Sequence, residues 1–592
     1  MAEEPEIEAR LPEQDSFEPP ADFVEQANVA DESIYEEFED NWPECWENAA
    51  EHLDWFDGYD EVLDDSDAPF YEWFVGGKLN ACYNCVDRHV INGRGDELAL
   101  SWKGEEGETR EYTYEELLDE VQAFAEGLRS VGVEEDDVVT MYMPMVPELP
   151  IAMLACARIG APHNVVFAGF SADALTTRME NASSEHLVTC DSYYRRGEKL
   201  DHKEKADIGT EDLDVTKIVV GRFDRYVPTD GEYAYRELVT RHEGASVEPV
   251  ERDAEDMLFL MYTSGTTGTP KGVKHTTGGY LSYVTWTSHA VLDIKPDDTY
   301  WCAADIGWIT GHSYIVYGPL SLGTTSVMYE GAPDYPTKDR LWEMVEGYDV
   351  DVFYTAPTAV RAFMKWGTEH PEEHDLSSLR LLGTVGEPIN PRAWKWYYRY
   401  IGNEDCPIVD TWWQTETGGM MVTTLPAINE MKPGSAGPPL PGIDARVVDD
   451  EGDEVDAGDA GYLTVHKPWP GMLRTVYGDD DRYINEYWTA YSDEDAGEWI
   501  YFPEDGAKID DDGYITVLGR VDDVINVSGH RLGTMELESA IVGVEGVAES
   551  AVVGGDHDVK GEAVYAYVIT EDGYDETDEM RERIVASVED AI

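Results

Sequence analysis

The sequence predicts an α/β fold: a large N-terminal domain over residues 1–521, with mostly parallel sheets and a small β subdomain, then a small α+β C-terminal domain over 522–592. Three observations predict it. Strand-like and helix-like periodicities alternate from Glu97 onward. Between Ala445 and Leu518 the pattern shortens to strands separated by Asp-Gly and Gly turns. After Arg520-Val521-Asp522-Asp523 a new unit of strand, helix, strand, strand and helix begins. With 592 residues, 42% of them hydrophobic, the chain can bury a large core.

The elements follow in order. Residues 1 to about 40 are acidic and Pro-containing and read as a loosely ordered lead-in. Ser33 to about Val90 reads as a mostly helical, Trp-rich section. Leu98 to Trp102 is a strand, Thr113 to Val131 a helix with apolar residues at helical spacing, and Val138 to Met143 a strand. The apolar run from Val138 to Phe167 is broken by Pro144, Pro147, Glu148, Pro150 and Arg158, which argues against a membrane span. Further units contain Ile218, Met257 to Thr263, Val352 to Thr355 and Leu379 to Val385. The β subdomain holds Ala445 to Val448, Gly461 to Val465 and Tyr514 to Leu518. Beyond it lie a helix from about Met535 to Val544, strands Ala551 to Val553 and Ala563 to Thr570, and a helix from about Thr577 to Ile592. No tandem repeat is present, which excludes a solenoid.

Charge excludes several functions. Against 124 Asp and Glu stand 42 Lys and Arg, a formal net charge of −82 that repels nucleic acid and anionic membranes. An acidic disordered chain is excluded by 17 Trp, 35 Tyr and continuous apolar patterning. The surface suits molar salt, where the Debye length shrinks to roughly 3 Å and mutes self-repulsion; the expectation is a halophile's cytosol. The N-terminal run MAEEPEIEAR has neither the basic start nor the apolar stretch of a secretory signal, so a cytoplasmic location is expected. The seven cysteines, scattered among apolar neighbours, read as reduced core thiols. Cys82 and Cys85 have C-x-x-C spacing, but without a second Cys or His pair at finger-like spacing they read as buried thiols. His370-Pro-Glu-Glu-His374 matches a metalloprotease pattern, yet Pro371 denies it the required helix, so it reads as a polar helix end or loop.

The strongest chemical signal is Tyr262-Thr-Ser-Gly-Thr-Thr-Gly-Thr-Pro-Lys271-Gly272, which follows the apolar strand Met257 to Met261. Its amides and hydroxyls can surround phosphate oxygens, with Lys271 adding positive charge. It is not a Walker loop, because Pro270 precedes Lys271 and Gly272 follows it.

Four more motifs occur in order after this loop: Tyr354-Thr-Ala-Pro-Thr-Ala359, Gly386-Glu387-Pro388-Ile-Asn-Pro391, Asp410-Thr-Trp-Trp-Gln-Thr-Glu-Thr-Gly418 and Gly519-Arg-Val-Asp-Asp-Val-Ile-Asn-Val-Ser-Gly-His-Arg531. With these the chain resembles the acyl-adenylate-forming superfamily. Trp301-Cys-Ala-Ala-Asp-Ile-Gly-Trp-Ile-Thr-Gly-His312 narrows the resemblance to AMP-forming acetyl-CoA synthetases, over about Ser33 to Ile592. The activity implied is acid–thiol ligation: ATP, acetate and CoA give AMP, pyrophosphate and acetyl-CoA through an acetyl-adenylate. The partners implied are these small molecules; no feature fixes an oligomeric state.

The resemblance assigns roles by position. Thr263, Ser264, Gly265, Thr266, Thr267, Gly268 and Lys271 would hold the ATP phosphates. Gly386, Glu387 and Pro388 would line the adenine site, and Asp410, Thr411, Trp412, Trp413, Gln414 and Thr415 its other wall, with Thr415 near the α-phosphate. Asp505 would accept hydrogen bonds from the ribose, while Arg520 and Arg531 would contact ribose and phosphates. Glu416 would hold the ATP-bound Mg²⁺. Carbonyls of Val542, Val544 and Val547 would form a structural Mg²⁺ site, where relatives often carry His at the second position. Trp413, with Ile309, Thr310 and Val385, would close the acid pocket to acetate size. CoA would meet Arg195, Arg196, Gly197, Glu198, Thr310, Asp334, Ser528 and Gly529. Glu198 and Asp334 replace the Arg and Asn that relatives tend to carry, and neither acid attracts phosphate. Lys271 and Arg531 would stabilise charge on the phosphates, without a protein nucleophile. Asp522 would be the hinge on which the C-terminal domain rotates between half-reactions.

Two alternatives stand beside this reading: a ligase for propionate or medium-chain acids, and a nucleotide-binding protein with impaired adenylation. Relatives carry a Pro-Lys-Thr-Arg-Ser-Gly-Lys segment whose last Lys serves adenylation. The sequence ends at Glu589-Asp590-Ala591-Ile592 before any such segment, so the C-terminal domain reads as truncated.

Overall fold

The computed structural model describes residues 16–591 apart from 224, 264–269, 495, 522–523, 528–529, 534–536, 539–540, 542–543, 545–546, 558–560 and 571–576. Among the described residues, two large sheets carry the architecture. The first runs in the order Glu232–Ala234, Thr216–Val220, His186–Cys190, Val139–Met143, His163–Phe167, Met257–Thr263, Lys271–Thr276, Thr475–Val476. It is parallel as far as Met257–Thr263 and antiparallel over its last two pairings. The second runs Ile408–Thr411, Leu381–Val385, Val352–Thr355, Thr299–Cys302, Thr325–Tyr329, Leu98–Lys103, Thr109–Thr113, with only the last pairing antiparallel.

Burial explains these strands. Val139–Met143, His186–Cys190 and Leu381–Val385 are buried at every position, the signature of parallel strands covered on both faces. The run from Val138 to Phe167 is a strand, the helix Glu148–Ile159 and a second strand. Every residue of that helix is buried in the protein core, and it stops at Gly160, whose φ of 77° makes a left-handed cap. No helix among the described residues is long and apolar enough to cross a membrane. Helix Tyr114–Ser130 starts at a capping box: Glu116 N–H donates to Thr113 Oγ1 at 3.2 Å, and Thr113 N–H donates to Glu116 Oε2 at 3.0 Å.

The stretch from Ala445 to Arg520 forms the expected antiparallel sheet, Ala445–Val448, Ala460–Val465, Asp505–Ile509 and Ile515–Arg520. Beyond it, Val524–Val527, His530–Gly533, Val547–His557 and Gly561–Thr570 pair antiparallel. Helix Asp578–Ala591 closes this unit, whose separate core includes Leu537, Ile541, Val544, Val547, Val552 and Met580.

The section from Ser33 to Val90 departs from expectation. Helices hold its two ends, but Glu61–Asp64 and Glu72–Val75 form an antiparallel pair between them. Trp73 and Phe74 there are wholly buried, and aromatic residues favour the pleated, packed surface of a strand. All seven cysteines are free and buried. His370, inside the four-residue helix Glu369–Glu372, and His374, just beyond it, point to separate carboxylates, Asp339 at 2.9 Å and Glu346 at 2.8 Å.

Candidate active site

Three motifs converge because three adjacent strands of the second sheet are parallel. Val352–Thr355, Leu381–Val385 and Ile408–Thr411 run side by side, so Pro357–Ala359, Gly386–Pro388 and Trp412–Gly418 emerge from the same edge. The crevice beyond the carboxyl ends of such strands is where open α/β sheets bind ligands. Gly386 sits at φ 97°, a conformation glycine adopts without strain. Glu387 accepts Thr358 N–H at 2.9 Å, also bonds the Thr358 hydroxyl, and pairs with Arg361 at 2.6 Å.

The segment after Ile408–Thr411 is fastened along its length. Thr417 Oγ1 donates to the Gln414 carbonyl at 3.0 Å, and the His275 ring nitrogen Nε2 lies 2.7 Å from the Thr415 carbonyl. Leu473 N–H donates to the Glu416 carbonyl at 2.8 Å, Trp469 Nε1 to that of Thr417 at 2.8 Å, and Ser313 Oγ to that of Gly418 at 2.7 Å. Five consecutive carbonyls are thus held, four of them by residues distant in sequence. Ser313 reaches Gly418 from a π-helical turn, His312–Tyr317, a widened turn common at functional sites. Tyr314 in the same turn accepts Met420 N–H at 2.9 Å.

Asp505 joins this wall from the small sheet. Its Oδ2 accepts Trp412 Nε1 at 3.1 Å and Gln414 Nε2 at 2.7 Å. Burial pushes its carboxyl up to about 6, against the pull of nearby Arg520 and the Trp412 and Gln414 bonds. Arg520 is paired in register with Asp505 across the sheet and donates to Glu504 at 2.6 Å. Burial opposes its charge, and Asp505 and Glu504 more than offset that. Asp410 is raised to about 7 by burial, eased by the Thr384 hydroxyl at 2.8 Å.

Trp413 is gripped by aromatic neighbours. Its ring meets Tyr314 edge-on at 5.0 Å, and its Nε1 donates to Tyr354 Oη at 3.3 Å; that hydroxyl lies 2.6 Å from Thr411 Oγ1. Ile309, Val385 and Trp413 share one buried cluster, with Thr310 half-buried beside Ile309. Sequence reasoning missed Tyr314 and Tyr354 as the residues that orient the indole.

Lys271 does not project freely toward a phosphate. It opens the strand Lys271–Thr276, directly opposite Thr263, and its Nζ donates to Tyr487 Oη at 2.7 Å. Glu486 lies 2.9 Å and Glu416 3.7 Å from the same ammonium. Tyr487 donates in turn to Glu416 Oε1 at 2.7 Å, an oxygen also 3.5 Å from the Thr263 hydroxyl. Helix Asp480–Tyr487, which supplies Glu486 and Tyr487, carried no signal that sequence reasoning used. Glu416 with Thr263 offers the hard oxygen donors a magnesium ion takes, so this donor set fits one.

The residues expected at CoA form a separate group. Ser192–Arg195 and Glu198–Asp201 make a hairpin whose two-residue loop is Arg196-Gly197, with φ of 53° and 75°. Arg195 through Glu198 are exposed. Asp334 is not an isolated acid there: it accepts Arg196 Nη2 at 2.9 Å and Nε at 3.2 Å.

Ser264, Gly265, Thr266, Thr267, Gly268, Asp522, Ser528, Gly529 and Val542 lie outside the described residues, as does the side chain of Arg531. Val544 and Val547 are buried, and the Val544 carbonyl accepts Val547 N–H at 3.1 Å.

A family model described as AMP-binding enzyme matches residues 87–477, one for the acetyl-coenzyme A synthetase N-terminus matches 31–85, and one for the AMP-binding enzyme C-terminal domain matches 536–592. A protein of Rubrobacter xylanophilus named acetyl-coenzyme A synthetase is 51% identical over 98% of this chain and 89% of its own length. One of the same name from Streptomyces avermitilis is 52% identical over 94% of this chain and 85% of its length.

Proposed function

From the premise that this chain belongs to the AMP-binding enzyme family, we propose that it is an AMP-forming acid–thiol ligase that makes acetyl-CoA from acetate, ATP and CoA. The observation that carries acetate over longer acids is Trp413, an indole held by an edge-on contact with Tyr314 and an Nε1 bond to Tyr354, where a longer acyl chain would have to lie.

The acetate carboxylate attacks the α-phosphorus of ATP and pyrophosphate leaves; the CoA thiol then attacks the adenylate carbonyl and AMP leaves. The 414–418 segment forms one wall of the nucleotide site and Gly386–Pro388 the other. Asp505 as a carboxylate receives the ribose hydroxyls, with Arg520 beside it. Glu416 and the Thr263 hydroxyl would hold magnesium, which when bound neutralises charge on the phosphates. Lys271 exchanges its Glu486 contact for phosphate oxygens as ATP arrives. Arg195 to Glu198, Thr310, Asp334, Ser528 and Gly529 form the CoA site. The domain boundary falls at 521/522, and the C-terminal domain turns about Asp522 between the two half-reactions.

A salt-rich cytoplasm is the setting this reading adds. A formal charge of −82 supports it, since such a globule repels itself strongly unless salt shortens the range to a few Å.

Acetate-dependent exchange between ATP and pyrophosphate in molar KCl tests the proposal, with propionate and butyrate in parallel. Exchange fastest with acetate is expected. Exchange that favours a longer acid points to the wider-pocket ligase, and none with any acid points to a binding protein. Circular dichroism from dilute buffer to molar KCl tests the salt requirement, which indifference to salt would refute.

A further inference from the structure

One carboxylate ties together the two segments that face CoA in the reading above. Glu105 sits in the turn between Leu98–Lys103 and Thr109–Thr113 at the edge of the second sheet, and it is wholly buried. Its Oε1 accepts Arg196 N–H at 2.8 Å and Ala332 N–H at 3.0 Å, and its Oε2 accepts Gly197 N–H at 2.9 Å. The hairpin follows His186–Cys190 of the first sheet, whereas Ala332 follows Thr325–Tyr329 of the second. The clamp therefore joins loops from both sheets.

The hairpin needs such a clamp. Its base is fixed by Asp191, whose Oδ1 accepts Ser192 N–H at 2.6 Å and Arg222 N–H at 2.9 Å. Its tip, Arg195 to Glu198, is exposed, and an exposed tip opens readily. Both backbone N–H groups of the Arg196-Gly197 loop end on Glu105, which fixes the direction in which Arg195 and Arg196 leave the chain. Tyr335 packs against the outer side of the turn, close enough that a Cβ on Gly197 would lie 2.5 Å from its Oη. Three N–H donors from two separate loops thus end on one buried carboxyl group, which holds the cationic tip from beneath.

We propose that Glu105 is a positioning residue for the thioester-forming half-reaction: it presents Arg195 and Arg196 to the phosphates of CoA and takes no part in adenylation. The inference rests on the CoA reading of the hairpin.

Two half-reactions separate a positioning role from a structural one. Glu105→Gln keeps the volume but replaces one acceptor oxygen by a donor, and charge-assisted bonds of this kind are worth about tenfold or more in affinity. Its KM for CoA should rise about tenfold with supplied acetyl-AMP, while acetate-dependent exchange and the KM for ATP stay within about twofold. An equal loss in both half-reactions would make Glu105 merely structural. An unchanged KM for CoA in Glu105→Gln, where Arg196→Ala raises it, would overturn the inference alone. An unchanged KM in Arg196→Ala would overturn the CoA reading of the hairpin and the inference with it. Amide hydrogen exchange on the unaltered protein gives a check that no misfolded variant can spoil. The amides of Arg196, Gly197 and Ala332 should be slow to exchange, and a fast-exchanging tip would refute the clamp.

Discussion

In the segment 414–418 each of five consecutive carbonyls accepts a hydrogen bond, four of them from His275, Leu473, Trp469 and Ser313. At the hairpin tip, four consecutive residues are exposed and one buried carboxylate holds the turn. Both regions serve a polyanionic ligand in the proposed reaction, yet one is built as core and the other as surface. The difference teaches where substitutions will act. In the first region a change disturbs a preorganised wall on which charge develops, and the cost appears in rate. In the second it shifts a balance between exposed ions, and the cost appears in affinity and depends on salt.

The sharpest break of that comparison is Trp413→Gly. In the proposed acid pocket, removing an indole held by Tyr314 and Tyr354 costs acetate its contact surface, on the order of 3 kcal/mol or about 100-fold in kcat/KM. Each methylene of a longer acid regains about 0.8 kcal/mol of burial in the cavity. Rates across acetate, propionate, butyrate and valerate should therefore invert in order. A profile parallel to the parent's would remove Trp413 from the acid pocket.

Trp469→Phe takes one donor from the wall and leaves the buried Thr417 carbonyl without it, at a cost of about 1–3 kcal/mol. Exchange should slow by roughly tenfold, while the KM for CoA stays put. A matching rise in the KM for CoA would mean that the two regions are not separable.

How far these effects could be read from the sequence depends on range. The Thr-rich loop, the Asp410 to Gly418 motif and the strands that carry them are local patterns, and parallel pairing alone then brings three motifs to one edge. The bonds that fix them join residues far apart: His275 to Thr415, Ser313 to Gly418, Glu105 to Arg196 and Lys271 to Tyr487. Nothing in periodicity marks a buried histidine or glutamate as the partner of a distant backbone group. The strand Glu72–Val75 was hidden for a related reason, since a short Trp- and Phe-bearing run reads equally as helix until its antiparallel partner is known. The departure at Asp334 was visible in the sequence, but its pairing with Arg196 was not.

Acidity should also act on one region and spare the other. In the proposed ribose site Asp505, raised to about 6 mainly by burial, must be ionised to accept two ribose hydroxyls. The KM for ATP should rise several-fold as pH falls from 7 to 5, with the KM for CoA changing less. Stability runs the other way for this group. The folded state holds its proton more tightly than the unfolded chain, so its contribution is fully present below about pH 4 and is lost as pH rises through about 6. Comparing KM for ATP with the thermal midpoint over this range checks both signs, and a pH-independent KM for ATP would remove Asp505 from the ribose site.

The smallest effect expected concerns Asp334, and its sign is opposite to that of the others. Asp334 holds the Arg196 guanidinium through bonds of 2.9 Å and 3.2 Å, and both side chains are partly solvated, at 60% exposure for Arg196 and 32% for Asp334. At the proposed CoA site the ligand must compete with this carboxylate for Arg196, and the competitor lies on the same face. Exposed pairs of this kind are weak and screened, so the competition is modest. Asp334→Asn retains an acceptor oxygen for the guanidinium but removes the charge. The KM for CoA should then fall about two- to fourfold in dilute salt, and the gain should shrink in molar KCl as the Debye length contracts to roughly 3 Å. Adenylation should not change, because the pair touches none of the residues that form the nucleotide wall. A KM for CoA that rises in Asp334→Asn would mean that the carboxylate orients Arg196 for CoA instead of competing for it, and a gain that persists undiminished in molar salt would show that the effect is not electrostatic.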